Sequence, residues 1–176
     1  MARLTLIDPA SASGKVKEIL EGPLAGKHFN IFKAMANSPA ALQAYLGLSG
    51  ALGHGGLSGK EREVVQLAVG SLNGCGYCEA AHTAIGKSLG LTEAQTIEAR
   101  RGTMSDPKLN ALARFTVAIH EKRGHISDDD IRSFKNAGYG DGDIAEVVAG
   151  YALAVYTNYF NHIAQTPIDF PPAPSI

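Results

Sequence analysis

Helix-start signals recur along this sequence, and they constrain the fold more than any other feature. Ser58 with Glu61, and Thr92 with Gln95, fit the capping-box pattern, in which two side chains satisfy free N–H groups at the start of a helix. Pro107, which follows an aspartate, suits the first turn of a third helix. Strand-like alternation of apolar and polar residues is nearly absent. The sequence therefore predicts an all-α fold.

The predicted helices cover most of the chain. Apolar spacing, caps and glycine stops give expected helices at residues 12–21, 29–36, 39–52, 58–72, 76–89, 92–102, 107–124, a short one after Ser127, and 143–164. The stretch from Thr166 to Ile176 contains four prolines, which exclude a helix or a central strand. We expect this stretch to form an extended arm.

Length, charge and composition exclude several classes of protein. With 176 residues, of which 45% are hydrophobic, the chain can bury the core of one domain. A net charge of −1 gives no attraction to nucleic acid or to anionic membranes. The longest apolar run, from Val147 to Tyr156, is about half of what a membrane-spanning helix needs. The N-terminus lacks a signal-peptide pattern, and two cysteines cannot build a secreted disulfide framework. We expect a cytoplasmic protein.

Both cysteines and one histidine lie close together in a single predicted helix. At about 100° per residue, Cys75, Cys78 and His82 project within one narrow arc of that helix. The free N–H groups and the dipole of a first helical turn stabilise a thiolate. A Cys-x-x-Cys pair placed there can close into a disulfide with little movement. The motif therefore indicates dithiol redox chemistry.

Two side chains can complete a proton relay around these thiols. His82 lies one helical turn below Cys78, near enough to take its proton directly or through a water. Glu63 lies on the preceding helix, and the tight turn at Asn73-Gly74 allows it to hold the imidazole from behind. The residues thus predict a carboxylate–histidine–thiol arrangement.

The residues alone leave two alternatives open. The cysteines can simply be small buried residues of a core helix. Cys75, Cys78 and His82 are also three competent zinc ligands. A structural zinc site usually takes a fourth strong ligand, but the sequence has no other cysteine, and His54 can serve only if its loop folds back.

The spacing of the four polar residues is specific. The pattern Glu-x11-Cys-x2-Cys-x3-His resembles the signature of the alkylhydroperoxidase-D branch of the carboxymuconolactone decarboxylase-like superfamily, read here at Glu63, Cys75, Cys78 and His82. The whole chain looks most like the peroxidase-related members, which end in an Asn-rich helix and a Pro-rich tail. The resemblance implies a single-domain helical bundle over residues 1–176, with an N-terminal extension (1–28), a core carrying the motif (29–126), and C-terminal helices and arm (127–176).

The resemblance also implies an activity. It is the reduction of small organic hydroperoxides by a cysteine pair, without metal, haem, flavin or other cofactor. Carried over, Cys78 attacks the peroxide, Cys75 resolves the product as a disulfide, His82 is the general base, and Glu63 orients it. The reductant would be a lipoyl group or a small thioredoxin-like dithiol protein. The subunits would assemble as homo-trimers or hexamers.

One position departs from this pattern, and two rival functions remain. The best-known members have a histidine directly before the second cysteine, where this chain has Tyr77. A tyrosine cannot act as a base near neutral pH, although it can donate a hydrogen bond. The decarboxylase branch is a rival lyase, but it does not use a Cys-x-x-Cys pair. A non-enzymatic redox adaptor or scaffold is the other alternative.

Overall fold

The computed structural model describes residues 2–176, and this part of the chain contains nine α-helices and no strand. A short 3-10 helix, Pro9–Ser11, precedes them. The all-α prediction is confirmed. The helices are α1 (Gly14–Glu21), α2 (Asn30–Met35), α3 (Pro39–Gly53), α4 (Gly59–Leu72), α5 (Gly76–Ser88), α6 (Glu93–Arg100), α7 (Pro107–Glu121), α8 (Asp128–Asn136) and α9 (Asp141–Ala164).

Local capping sets where these helices begin and end. Ser58, Thr92 and Ser127 each cap a helix, and in all three cases the third helical residue returns a hydrogen bond to the cap, as in a capping box. The predicted end of α7 is three residues too late. Arg123 and Gly124 adopt positive φ angles of 52° and 81°, which stop the helix at Glu121.

Two apolar clusters form the core, and the hairpin of α4 and α5 lies between them. One cluster joins α4, α7, α8 and α9, and in it Phe134 stacks on both Phe115 and Tyr139 with ring centroids 4.3 Å apart. The other cluster joins α1, α2, α3 and α5, and it includes both cysteines. The thiols are therefore enclosed by apolar side chains on the α5 side of the hairpin.

The Pro-rich stretch runs as an extended arm, as predicted, and it is fixed to the start of α2 and of α5. Asp169 accepts hydrogen bonds from the Tyr77 hydroxyl and from the backbone N–H of Asn30, both at 2.7 Å. The Phe170 ring packs 4.5 Å from Phe29 and edge-on to Tyr77 at 5.7 Å. These contacts place Phe170 of the arm beside the Cys-x-x-Cys motif.

A second attachment holds the far end of the arm. The Arg100 guanidinium donates to the Pro174 carbonyl and forms a 2.9 Å ion pair with Glu79 of α5. The Arg100 side chain is only 6% exposed, so both partners share its charge away from bulk water. The arm is thus bonded to the body of the protein on both sides of Phe170.

The long helix α9 is only partly buried. Val147, Leu153 and Ala154 are buried, in agreement with the apolar run seen in the sequence, whereas Val148 and Ile163 are at least half exposed.

Within residues 2–176, none of the helices has both the length and the apolar character needed to cross a bilayer.

The capping carboxylate of α4 predicts a dependence of stability on acid. Burial raises the pKa of Glu61, but hydrogen bonds from Ser58 and Lys108 outweigh it and lower the pKa to about 2. Because this folded-state pKa lies below the ordinary glutamate value of 4.5, the stability from Glu61 is complete above that pH and is lost as the pH falls towards 2. In urea titrations between pH 4.5 and about pH 2, the free energy of unfolding of Glu61→Gln should depend less steeply on pH than that of the wild type.

A second variant checks the cause of this effect. Ser58→Ala removes the hydroxyl partner of Glu61 and should also flatten the pH dependence, with a loss of about 1 kcal/mol at neutral pH. Equal slopes for the wild type and Glu61→Gln would contradict the assignment.

The arm contacts predict the effect of removing a single hydroxyl. Tyr77→Phe keeps the ring that packs on Phe170 but leaves Asp169 without its phenol donor, at an expected loss of about 1 kcal/mol. Hydrogen exchange at the Asn30 amide, which Asp169 also holds, should become faster. Tyr159→Phe, at an exposed position on α9, is the matched control. Unchanged exchange at Asn30 in Tyr77→Phe would show that the hydroxyl does not hold the arm.

Candidate active site

The turn between α4 and α5 presents the cysteine pair at a helix start. Gly74 takes a φ of 63°, which suits a glycine, and Cys75 then serves as the N-cap of α5. The Cys75 sulfur accepts a hydrogen bond from the Cys78 N–H at 3.3 Å. The shared arc predicted for Cys75, Cys78 and His82 assumes a helical backbone at Cys75, whereas the backbone of this N-cap residue is not helical (φ −86°, ψ 87°). A disulfide joins the two cysteines, whose Cα atoms are 5.3 Å apart.

A cavity of about 710 Å³ opens beside this pair, and the two cysteines differ in their relation to it. Cys78 is part of the cavity wall, together with Glu63 and His82. Cys75 does not contribute to the wall, although both cysteines are almost fully buried, at 1% and 2% exposed. Much of the remaining wall is apolar and comes from Phe29, Ile31, Phe32, Leu52, Ile85, Leu153 and Phe170. A ligand in this cavity meets Cys78 before Cys75.

Glu63 and His82 are in direct contact across the hairpin. Glu63 Oε2 lies 2.7 Å from His82 Nδ1, and their side chains are 11% and 20% exposed. Because an ionised carboxylate only accepts hydrogen bonds, Nδ1 must carry a proton. In the neutral ring, Nε2 then has the free lone pair. The histidine is therefore set up to accept a proton at Nε2.

The structure does not bring His82 into hydrogen-bond contact with Cys78. Among residues 2–176, the polar side chain that reaches the Cys78 sulfur is Asn161 of α9, whose Nδ2 donates to Sγ at 3.4 Å. The shared helix face places His82 one turn away, but its Nδ1 faces Glu63 instead. The predicted role of His82 as a base for Cys78 therefore stays a prediction.

Two tyrosines that adjoin the site remain protonated near neutral pH. Burial raises the pKa of Tyr45, against a hydrogen bond from Ser49 that lowers it, and the nearby charge of Glu63 raises it further. Burial also raises the pKa of Tyr77, and its hydrogen bond to Asp169 adds to this effect. Tyr77 is therefore a donor that fixes the arm.

Sequence reasoning missed Asn161 and the arm as parts of the site. Asn161 is one of several asparagines in the last helix, and its separation of 83 positions from Cys78 gives no sign of contact. For the zinc alternative, the two thiols are joined to each other and His82 Nδ1 faces Glu63. Within the described part of the chain, no group of three or more His, Cys, Asp or Glu side chains is arranged to hold a metal ion.

Comparison with known proteins identifies the fold. Residues 39–121 match the carboxymuconolactone decarboxylase family. A peroxidase-related protein from Ralstonia eutropha JMP134, described as an alkylhydroperoxidase AhpD core, is 22% identical with a TM-score of 0.84, over 96% of this chain and 92% of that one. A peroxidase-related protein from Silicibacter sp. TM1040 is 23% identical with a TM-score of 0.77, over 94% and 92%.

A third solved structure has a different named activity. A cysteine-to-alanine variant of the debrominase Bmp8, in complex with 2,3,4-tribromopyrrole, is 17% identical with a TM-score of 0.76, over 96% of this chain and 94% of that one. No curated protein matches the sequence. These structural likenesses cover nearly the whole chain and establish its fold.

The family match and the shared fold agree with the spacing of Glu63, Cys75, Cys78 and His82. Residues 39–121 therefore resemble the carboxymuconolactone decarboxylase family, and nearly the whole chain shares the all-α fold of the solved alkylhydroperoxidase AhpD core structure.

Proposed function

We propose that the protein is a thiol-dependent peroxidase that reduces small organic hydroperoxides. The observation that supports this most strongly is the disulfide between Cys75 and Cys78, with Cys78 in the cavity wall and the Glu63–His82 pair beside it. A vicinal pair that forms a disulfide can store the two electrons that cleavage of a peroxide bond requires. The site thus has a reductant and a proton carrier in one cavity.

The first step consumes the peroxide. His82 Nε2 takes the proton of the reduced Cys78 thiol through a bridging water, because the two side chains are not in direct hydrogen-bond contact, while Glu63 stabilises the resulting imidazolium. The thiolate attacks the terminal oxygen of the hydroperoxide, and the O–O bond breaks. The leaving alkoxide takes the proton back from His82 and departs as an alcohol. Cys78 is left as a sulfenic acid.

The second step protects the enzyme and prepares it for reduction. The Cys75 thiol attacks the Cys78 sulfenic acid, so that a disulfide forms and water leaves. An external dithiol then exchanges with this disulfide, becomes a disulfide itself and returns both cysteines to thiols. We propose a lipoyl group or a small thioredoxin-like protein for this role. The cycle needs no metal or organic cofactor.

The order of the two cysteines follows from their positions. Cys78 faces the cavity and lies within the first turn of α5, where free N–H groups favour a thiolate. Cys75 lies outside the cavity wall and is close enough to form the disulfide. These positions support Cys78 as the attacking thiol and Cys75 as the resolving thiol.

We further propose that the protein is a homo-oligomer, a trimer or a hexamer. Val148, Tyr159 and Ile163 are 50%, 53% and 65% exposed, and helical spacing places all three on one face of α9. Exposed apolar stripes of this kind are suited to contact between subunits.

The proposal predicts different failures for the two cysteine variants. With dihydrolipoamide as the reductant and an organic hydroperoxide as the substrate, both Cys78→Ser and Cys75→Ser should lose turnover. Cys75→Ser should still form one sulfenic acid per subunit, because its attacking thiol is intact, and a sulfenic-acid reagent should trap it. In Cys78→Ser the reagent should trap no sulfenic acid. Full turnover by Cys78→Ser would overturn the assignment.

The contact between Glu63 and His82 predicts how substitutions of either residue change the rate of sulfenic acid formation. His82→Ala should slow sulfenic acid formation by about 100-fold, because no group then carries the proton to the leaving oxygen. In Glu63→Gln the amide oxygen can still accept a hydrogen bond from His82 Nδ1, but the negative charge is gone. We therefore expect a smaller decrease in the rate of sulfenic acid formation. His162→Ala, an exposed position on α9, is the control. Stopped-flow measurement of the single-turnover step checks these rates, and equal rates in all three variants would exclude the relay.

The cavity wall favours a second candidate function. Aromatic residues, including Phe29, Phe32, Tyr45 and Phe170, give it a surface that suits a flat ring. We propose removal of bromide from an aromatic ring as this candidate. The carbon–bromine bond is replaced by carbon–hydrogen, the cysteine pair is oxidised to the disulfide, and bromide and a proton leave. Bromide release from 2,3,4-tribromopyrrole without peroxide consumption would select this reaction.

Two further outcomes distinguish the remaining alternatives. A redox adaptor would exchange its disulfide with a partner protein and consume neither substrate. A lyase of the decarboxylase kind would keep its activity in Cys75→Ser and Cys78→Ser. The same two variants therefore test all of these functions.

A further inference from the structure

Asn161 occupies an unusual place on α9. It is 4% exposed and lies one turn beyond Thr157 on the face that lines the cavity. The Thr157 hydroxyl donates back to the carbonyls of its own helix, as a threonine in a helix often does. Asn161 instead directs Nδ2 at the Cys78 sulfur, 3.4 Å away.

The other half of the Asn161 amide has no partner. Oδ1 is buried, and no hydrogen-bond donor reaches it from residues 2–176. Asn158, one turn earlier on the same helix, is equally buried but accepts a 2.9 Å hydrogen bond from Asn73 at its Oδ1. A buried amide with an unsatisfied oxygen destabilises a fold, and an apolar residue of the same size would avoid this. The fold alone therefore gives no reason for an asparagine at this position.

We propose that Asn161 stabilises the thiolate of Cys78 through an N–H···S hydrogen bond. The inference rests on the proposed function, in which Cys78 is the attacking thiol. When the disulfide is reduced and Sγ takes a negative charge, the existing contact becomes a charge-assisted hydrogen bond, which is shorter and stronger. An amide does not titrate, so Asn161 donates at every pH, whereas His82 can exchange protons. One group thus holds the charge, and the other moves the proton.

Other groups that share the cavity do not replace this contact. The cavity wall beside Cys78 also contains titratable and charged side chains from five parts of the chain. They are Lys27 after α1, Tyr45 of α3, Arg62 and Glu63 of α4, His82 of α5 and Glu146 of α9. Tyr77 also lies in the wall, and its hydroxyl is engaged with Asp169 of the arm. Within residues 2–176, none of them forms a hydrogen bond to the Cys78 sulfur.

The test measures the thiol and does not require a substrate. In a Cys75→Ser background, Cys78 is the single thiol, and the pH dependence of its alkylation by iodoacetamide reports its pKa. Asn161→Leu should raise that pKa by about one pH unit, the loss expected for one hydrogen bond to a charged group. Asn158→Leu is the matched control, because it removes a buried asparagine from the same helix without touching the sulfur.

The free energy of unfolding gives a second readout, in which Asn158→Leu and not Asn161→Leu should show the loss. In urea titrations of the oxidised protein, Asn161→Leu should unfold at the same urea concentration as the wild type or at a higher one. Asn158→Leu should unfold at a lower concentration, because Asn73 loses its partner. Asn161→Ala replaces Asn161→Leu in the alkylation test if the leucine does not fold.

Each outcome decides one question. An unchanged alkylation pKa in the Asn161 variants, or an equal shift in Asn158→Leu, would overturn the role of Asn161. A raised pKa in Asn161→Leu alone would support this role even if the wild type consumed no hydroperoxide. In that case the proposed peroxidase function would fail, and the thiolate contact would stand.

Discussion

The buried carboxylate of Glu63 is the group on which the arrangement of the site depends. An ionised side chain that is withdrawn from water destabilises the fold unless a polar partner meets it. Here the partner is the His82 imidazole, 2.7 Å away on the next helix. This pairing fixes the register of α4 against α5. The same register places Cys78 in the cavity wall, and α9 then closes the cavity with Asn161 against the sulfur.

Much of the fold follows from local sequence. The caps at Ser58, Thr92 and Ser127 depend on side chains within three residues of each helix start, so a short stretch of sequence is enough to predict them. The cysteine motif is also local, and its spacing already indicated a disulfide. Glu63 and His82 could be linked because a tight turn joins their helices. Each of these predictions needed no knowledge of the wider packing.

The rest of the site could not be predicted because it depends on contacts between distant segments. Asn161 reaches Cys78 only because α9 packs against the hairpin, and Tyr77 has a role only because the arm returns to meet it. Helical spacing also predicts which residues share a face of the helix, but it does not predict the orientation of a side-chain ring. The imidazole of His82 turns to the charge of Glu63, since a buried ion attracts it more strongly than a neutral sulfur.

The position of the arm also orders the events of synthesis. Phe170 forms part of the cavity wall, yet the ribosome makes it after every helix of the core that it covers. The hairpin of α4 and α5 can therefore fold, and its two thiols can meet oxidants or other thiols, while one side of the cavity is still open. During that interval the nascent chain carries a more accessible cysteine pair than the finished protein does.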